Sequence, residues 1–274
     1  MDRRLTPANA RAALETLRSS GITGPFVPGS AGQIVVPLTD LCRDPGGARE
    51  RQVLMGDALT VVDCNEGWAF VQMQKDGFCG YVAETAFGPG KEATHWVAAP
   101  ATHLYSEPSL KIREICTLTL NARLHVTDEN GKWSETTVGW VPTMHLRALG
   151  IWHKDPVAVA QTFLGVPYLW GGNSRAGLDC SGLVQAALFA CGRACPGDSD
   201  LQQMLGAPVG ERQALKRGDL IFWKGHVAMA MNADYMIHAT AAFMAVVVEQ
   251  TKVAIKRIKD AGDGDVIARR RPGT

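Results

Sequence analysis

The sequence predicts an α+β chain in which two small β-barrels precede a domain of helices followed by strands. Three observations carry this reading. Short β-segments punctuated by Gly, Asp and Asn fill the region from about Gln33 to Gly88. The same plan returns from about His95 to Leu149, with matching residues at a constant offset. Beyond Gly150 two helical patterns come first and a run of strands follows, the order expected of an α+β domain.

The elements follow in chain order. In the segment 1–32, Thr6 as N-cap, Pro7 at the first helical position and Gly21 beyond the end bracket a short amphipathic helix. The first barrel, 33–90, is expected from Ile34-Val35-Val36, Leu59-Thr60-Val61-Val62, Trp68-Ala69-Phe70-Val71 and Gly80-Tyr81-Val82. In the second, 91–150, Leu124 and Val126 answer Leu59 and Val61, Asn130 answers Asn65, and Trp133 answers Trp68. After a shorter loop, Gly139-Trp140-Val141 answers Gly80-Tyr81-Val82, so the unit reads as a duplicated module.

In the last domain, 151–274, Asp155 as N-cap, Pro156 and Gly165 frame a helix over 157–164. A second helix begins at about Cys180, with Leu183, Val184, Ala187, Leu188 and Cys191 as its apolar stripe and Gly192 as its stop. Strands are expected over 219–223, 226–231, 235–240, 245–250 and 265–269.

Composition narrows the function classes. Apolar residues are 46% of the 274 and charged residues 20%, a balance that suits a globular chain and argues against disorder. The formal net charge is +1 and the one basic run is Arg269-Arg270-Arg271, so no nucleic-acid partner is expected. No stretch approaches the roughly 20 apolar residues of a membrane span, and no signal-peptide block follows Met1-Asp2-Arg3-Arg4. Seven irregularly spaced cysteines read as reduced thiols, and with the missing signal they point to the cytoplasm. Cys191 and Cys195 have metal-like spacing without a second Cys/His pair near them, so neither metal nor cofactor is expected.

The chemistry concentrates on three residues. Cys180 lies in Leu178-Asp179-Cys180-Ser181-Gly182, at the start of a helix. A thiol there feels the positive end of the helix dipole, which favours the thiolate, and the adjacent N–H groups can donate to an oxyanion. Buried apolar packing is the plain alternative for such a cysteine. His226 and His238 stand at equal distances from Asn232, in the turn Asn232-Ala233-Asp234. A hairpin folded about Asn232 sets them opposite one another, with Cβ atoms about 4.5–5.5 Å apart. One imidazole can then serve as base while the other orients it. A one-residue slip in register would separate them to opposite faces.

Four ordered motifs resemble the NlpC-type peptidoglycan peptidases, which are papain-like cysteine enzymes. They are Tyr168-Leu169-Trp170-Gly171-Gly172, Leu178-Asp179-Cys180-Ser181-Gly182-Leu183-Val184, Arg217-Gly218-Asp219-Leu220-Ile221-Phe222-Trp223 and His226-Val227. The resemblance implies Cys180 as nucleophile, His226 as base and His238 as orienting residue. Each duplicated module resembles a bacterial SH3-like domain, and two of these before the peptidase domain resemble the γ-D-glutamyl-L-diamino acid endopeptidases. That group implies a murein-derived peptide as substrate, cut after L-Ala-γ-D-Glu in cell-wall peptide recycling. It also implies a pocket of Tyr168, Trp170, Asp179, Ser181, Asp198 and Ser199. A contact from the first SH3-like domain to the peptidase domain would hold the substrate amine through Asp57 and Tyr81, with Phe78 where a tyrosine is usual.

Three alternatives stay open on these residues: an exported hydrolase of intact wall, an acyltransferase on the same fold, and a binding protein with an inactive peptidase domain.

Overall fold

Alternating apolar residues build the first β-unit of the computed structural model, which describes residues 1–273. Seven strands join in one sheet: Ser30–Ile34, Leu38–Cys42, Arg49–Leu54, Ala58–Asn65, Trp68–Met73, Cys79–Ala83 and Phe87–Gly88. Leu41, Val53, Leu59, Val71 and Val82 meet around Phe78 in its core. The strands of residues 95–148 repeat this pairing plan, around a core of Val97, Leu104, Leu118, Leu124 and Val141. Cys42 pairs with Tyr81 in the first, and Tyr105 pairs with Trp140 at the matching place in the second. Asn65 pairs with Trp68, and the Asn130 N–H donates to the Trp133 carbonyl at 3.0 Å.

Both β-units belong to one compact body, Met1–Ile151. Met55, from the first, packs in the core of the second, and the Arg123 N–H donates to its carbonyl at 2.8 Å. Gly56 makes that approach possible. Its φ is +84°, and a Cβ there would overlap the Arg123 carbonyl.

The expected N-terminal helix does not form. Residues 1–32 hold two single 3-10 turns, Arg3–Leu5 and Glu15–Leu17, and a two-residue strand, Ala13–Leu14, parallel to Phe26–Val27. The cause is local: the Asn9 side chain accepts from the N–H groups of Arg11 (2.8 Å) and Ala12 (2.9 Å), closing an Asx turn where the helix would run. Ala12 and Leu14 then pack against Val62, Phe70 and Cys79, so barrel packing overrides a weak helical preference.

The second body begins at Trp152. Its first helix, α1 (Pro156–Gln161), is capped by Asp155, whose carboxylate accepts from Val157 N–H at 3.0 Å. It ends earlier than expected, in turns that lead to Gly165 at φ +78°. The helices α2 (Cys180–Phe189) and α3 (Ser199–Gln202) follow. Then come β1 (Ala207–Pro208), β2 (Leu220–Trp223), β3 (His226–Ala230), β4 (Tyr235–Thr240), β5 (Ala245–Gln250), α4 (Thr251–Asp260) and β6 (Ala268–Arg271). The six strands form one sheet in the order β1-β6-β2-β3-β4-β5. The last strand lies three residues beyond its expected start, because Asp265 is drawn to Lys259 at the end of α4 and only Ala268 onward pairs with β2.

The sequence reading missed α4. Its Ala254 and Ile258, four residues apart, pack with Ile221, Ala228 and Met236 of the sheet. By the two-residue period of the strands, His226 and His238 share that face with Ala228 and Met236. Among the described residues, no helix is long and apolar enough to cross a membrane.

Candidate active site

Asp179 decides where α2 starts. Its Oδ1 accepts from Gly182 N–H (2.6 Å) and from the Ser181 hydroxyl (2.8 Å), while Oδ2 accepts from Gly171 N–H (2.9 Å). One carboxylate thus caps the helix and ties the Gly171-Gly172 loop to it. Gly182 completes the junction, since a Cβ there would overlap the Gly172 carbonyl and crowd the Asn173 side chain. Gly182→Ala should therefore destabilise the protein by about 1–3 kcal/mol. Denaturant melts of the two proteins measure it, and equal midpoints would show that the loop simply yields.

Cys180 follows the cap and is only 6% exposed. Its Sγ lies 3.9 Å from the Gly225 carbonyl, and the N–H groups of Val227, Ser181 and Cys180 itself point to it. The thiol is thus set between the two neighbours of His226. Burial, with the charge of Asp179, pushes it up to about 12, although those N–H groups act in the opposite direction. This corrects the expectation that helix position alone would favour the thiolate. Removing sulfur from water outweighs the dipole, so the resting group is a thiol.

His226 Nε2 lies 2.8 Å from His238 Nδ1, and His238 Nε2 lies 2.8 Å from Glu249 Oε2. Burial, reinforced by His238 and Arg257, lowers His226 to about 3. Burial also lowers His238, against the pull of Glu249. Both shifts favour the uncharged ring.

The two histidines are not directly opposite, as folding about Asn232 would make them. Met229 pairs with Ile237 and Ala230 with Met236, which centres the hairpin on Ala233. Asn232 begins the turn rather than bisecting it, because its Oδ1 accepts from the N–H groups of Asp234 and Tyr235, both at 2.9 Å. The histidines become diagonal neighbours two residues out of register. An even shift keeps them on one face.

The expected pocket residues have different fates. Tyr168 is half-buried, and burial followed by the charges of Cys180 and Asp179 pushes its hydroxyl up, which places it beside both. Trp170 is 70% exposed in the same loop. Asp179 and Ser181 flank Cys180, but they are buried and hydrogen-bonded to one another, and Asp179 serves as helix cap and loop tie. Asp198 heads α3 and Ser199 is buried in its first turn.

Gln202, which sequence reasoning missed, draws that segment to the site. Its Nε2 donates to the carbonyls of Ser181 (3.0 Å) and Gly197 (2.9 Å). A buried amide four residues after Asp198, at helical spacing, was the available signal.

In the first body, Asp57 is not the free carboxylate that was expected. Asp57 is 5% exposed, and its Oδ2 accepts from Leu54 N–H (2.8 Å) and from the Lys75 ammonium (2.5 Å). A carboxylate already neutralised inside its own turn is not presented to a substrate amine. Phe78, which stands where a tyrosine is usual, is wholly buried in the barrel core. Tyr81 is half-buried, its ring 5.1 Å from that of Phe70.

Glu249 and Arg257 were also missed. Glu249 lies on the same face of β5 as its pairing partner, Met236, which shares that face with His238. An acidic residue on the inner face of a strand was the signal, but reading it required the β4–β5 register. Among the described residues, no cluster of three or more His, Cys, Asp or Glu side chains is gathered closely enough to hold a metal ion.

Comparison with known proteins gives this geometry a context. The NlpC/P60 family model matches residues 165–261, and the bacterial dipeptidyl-peptidase Sh3 domain matches residues 41–87. A γ-D-glutamyl-L-lysine dipeptidyl-peptidase of Bacillus cereus is 29% identical over 234 residues, covering 70% of this chain and 68% of that one. An enzyme of the same name from Bacillus subtilis is 29% identical over 227 residues, covering 73% of this chain and 74% of its own. The crystal structure of an NlpC/P60 family protein from Bacillus cereus superposes with a TM-score of 0.76 at 23% identity, over 88% of this chain and 99% of that one. That likeness establishes the fold.

Proposed function

We propose that this chain, a cysteine peptidase of the NlpC/P60 family with a bacterial dipeptidyl-peptidase SH3 domain, cleaves the amide between γ-D-Glu and a diamino acid in free murein peptides. The observation that carries the reading is the His226–His238 hydrogen bond, with the buried Cys180 thiol at a helix start set against the backbone on either side of His226. The two Bacillus relatives named for γ-D-glutamyl-L-lysine dipeptidyl-peptidase activity support the substrate class.

The geometry supports the following chemistry. Cys180 Sγ attacks the γ-carbonyl carbon as its proton passes to His226, whose Nε2 is occupied by His238 and whose Nδ1 is the accepting nitrogen. The carbonyl oxygen becomes an oxyanion near the N–H groups at the start of α2 and the Tyr168 hydroxyl. Collapse breaks the C–N bond, and the proton on His226 goes to the leaving amine. Water then attacks the thioester with His226 as base, releasing the γ-D-Glu carboxylic acid and restoring the thiol. Because Cys180 and His226 rest uncharged, charge appears only as the sulfur attacks. Trp170, exposed beside the thiol-bearing segment, offers a stacking surface for the peptide.

The test is incubation with L-Ala-γ-D-Glu-L-Lys and with the diaminopimelate analogue, each with a free or an acetylated N-terminus, read by mass spectrometry. The expected products are L-Ala-D-Glu and the free diamino acid, formed at least about tenfold faster from the free amine. A tenfold ratio corresponds to about 1.4 kcal/mol of amine recognition. Equal rates on both forms would make the enzyme a general endopeptidase. Cleavage of intact wall in preference to the tripeptide would instead make it a wall hydrolase.

A further inference from the structure

We propose that Glu249 and Arg257 are positioning residues that set the tautomers of both histidines and leave His226 Nδ1 as its unprotonated nitrogen. This rests on the roles given above to Cys180, His226 and His238. Hydrogen-bond logic carries the argument. A carboxylate only accepts, so the contact of His238 Nε2 with Glu249 Oε2 at 2.8 Å puts the proton on Nε2. A neutral His238 then presents a lone pair at Nδ1. His226 Nε2, 2.8 Å away, must be the donor, which leaves Nδ1 to take the thiol proton. Two imidazoles in series with no acceptor at the end could run their protons in either direction. Glu249 makes the direction unique.

Arg257 keeps Glu249 in place and keeps it from charging the rings. Its Nε donates to Oε1 at 3.1 Å and a terminal nitrogen donates to Oε2 at 2.5 Å, the fork geometry that fixes a carboxylate plane. The guanidinium also lies 5.1 Å from the Phe243 ring centroid, which holds it from the β4–β5 turn. Burial pushes the Glu249 carboxyl up, but its hydrogen bonds to Arg257 and His238 outweigh this and hold it below the ordinary range. The charged groups that act on the two rings are Glu249 from β5 and Arg257 from α4, and the nearest thiol, Cys180, lies against the Gly225 carbonyl and the Val227 N–H on either side of His226.

Two measurements test this. The first is the acid limb of kcat/KM. Glu249→Gln removes a negative charge, so the limb moves to lower pH, and kcat falls about 10- to 100-fold with little change in KM. Arg257→Gln removes a positive charge, so its limb moves to higher pH. Arg257→Lys keeps the charge and stays near the wild-type limb. Opposed shifts support the proposal, whereas shifts in the same direction, or none, overturn it.

The second is the imidazole 15N spectrum, which needs no substrate. The wild type and Arg257→Lys should show His226 protonated at Nε2 alone, and Glu249→Gln should show mixed tautomers. An unchanged spectrum in folded Glu249→Gln overturns the proposal. A tripeptide left uncut by wild-type enzyme with the expected tautomers would instead count against the substrate reading.

Discussion

Cys180→Ala should remove about 10^4- to 10^6-fold of the turnover on γ-D-glutamyl tripeptide, because the one other hydroxyl or thiol in the first turn of α2, that of Ser181, is buried and bonded to Asp179. The fold should survive. The change deletes one buried sulfur from a site held by the Asp179 cap, the Gly171 tie and the Gln202 bridge, none of which uses the thiol. A loss of stability of about 1 kcal/mol is expected. Circular dichroism and a thermal melt establish folding, and single-turnover assays measure the rate. Simple alkylation is a poor substitute, since Cys64 is the exposed thiol and Cys180 is buried and uncharged at rest. A substrate-shaped electrophile should modify Cys180 alone. Wild-type turnover by a folded Cys180→Ala protein would end the cysteine-nucleophile assignment.

His226→Ala should cost about 10^3- to 10^4-fold in kcat/KM, since the proton acceptor and the later proton donor are lost together. His238→Gln should cost less, about 10- to 100-fold, because a carbonyl in place of Nδ1 can still accept from His226 Nε2. If His238→Gln is the more damaging change, the two roles are exchanged. The pH profile gives a second readout. Activity requires an uncharged His226, and burial holds that ring down to about 3. The acid limb should therefore lie well below the pH of roughly 6.5 at which a free imidazole protonates. A limb near 6.5 would mean that the ring is far better solvated than its surroundings indicate.

Much of the site was readable because its signals are local. Asp179 before Cys180 and glycines on both sides announce a helix start, and the run of motifs from Tyr168 to Val227 brings the proposed nucleophile and base into one domain. The strand period put His226 and His238 on one face even though the hairpin centre was misplaced by one residue. Other residues depended on partners far along the chain. Asp57 looked available until the Lys75 ammonium, eighteen residues later, was found on its carboxylate. Glu249 needed the β4–β5 register and Arg257 needed α4.

The sequence by itself determined the duplication in the β-rich half, the helices-then-strands order of the last domain apart from α4, and the three residues on which the proposed chemistry rests. These depend on caps, turns and periodicities acting within a few residues. Only the tertiary structure decided the protonation of those residues and what terminates their hydrogen-bond chain. Burial pushes the Cys180 thiol up and both imidazoles down, against the charge that the helix start suggested for the sulfur. Charge in a protein depends on everything that excludes water from a group, and that is a property of the packed chain rather than of any segment of it.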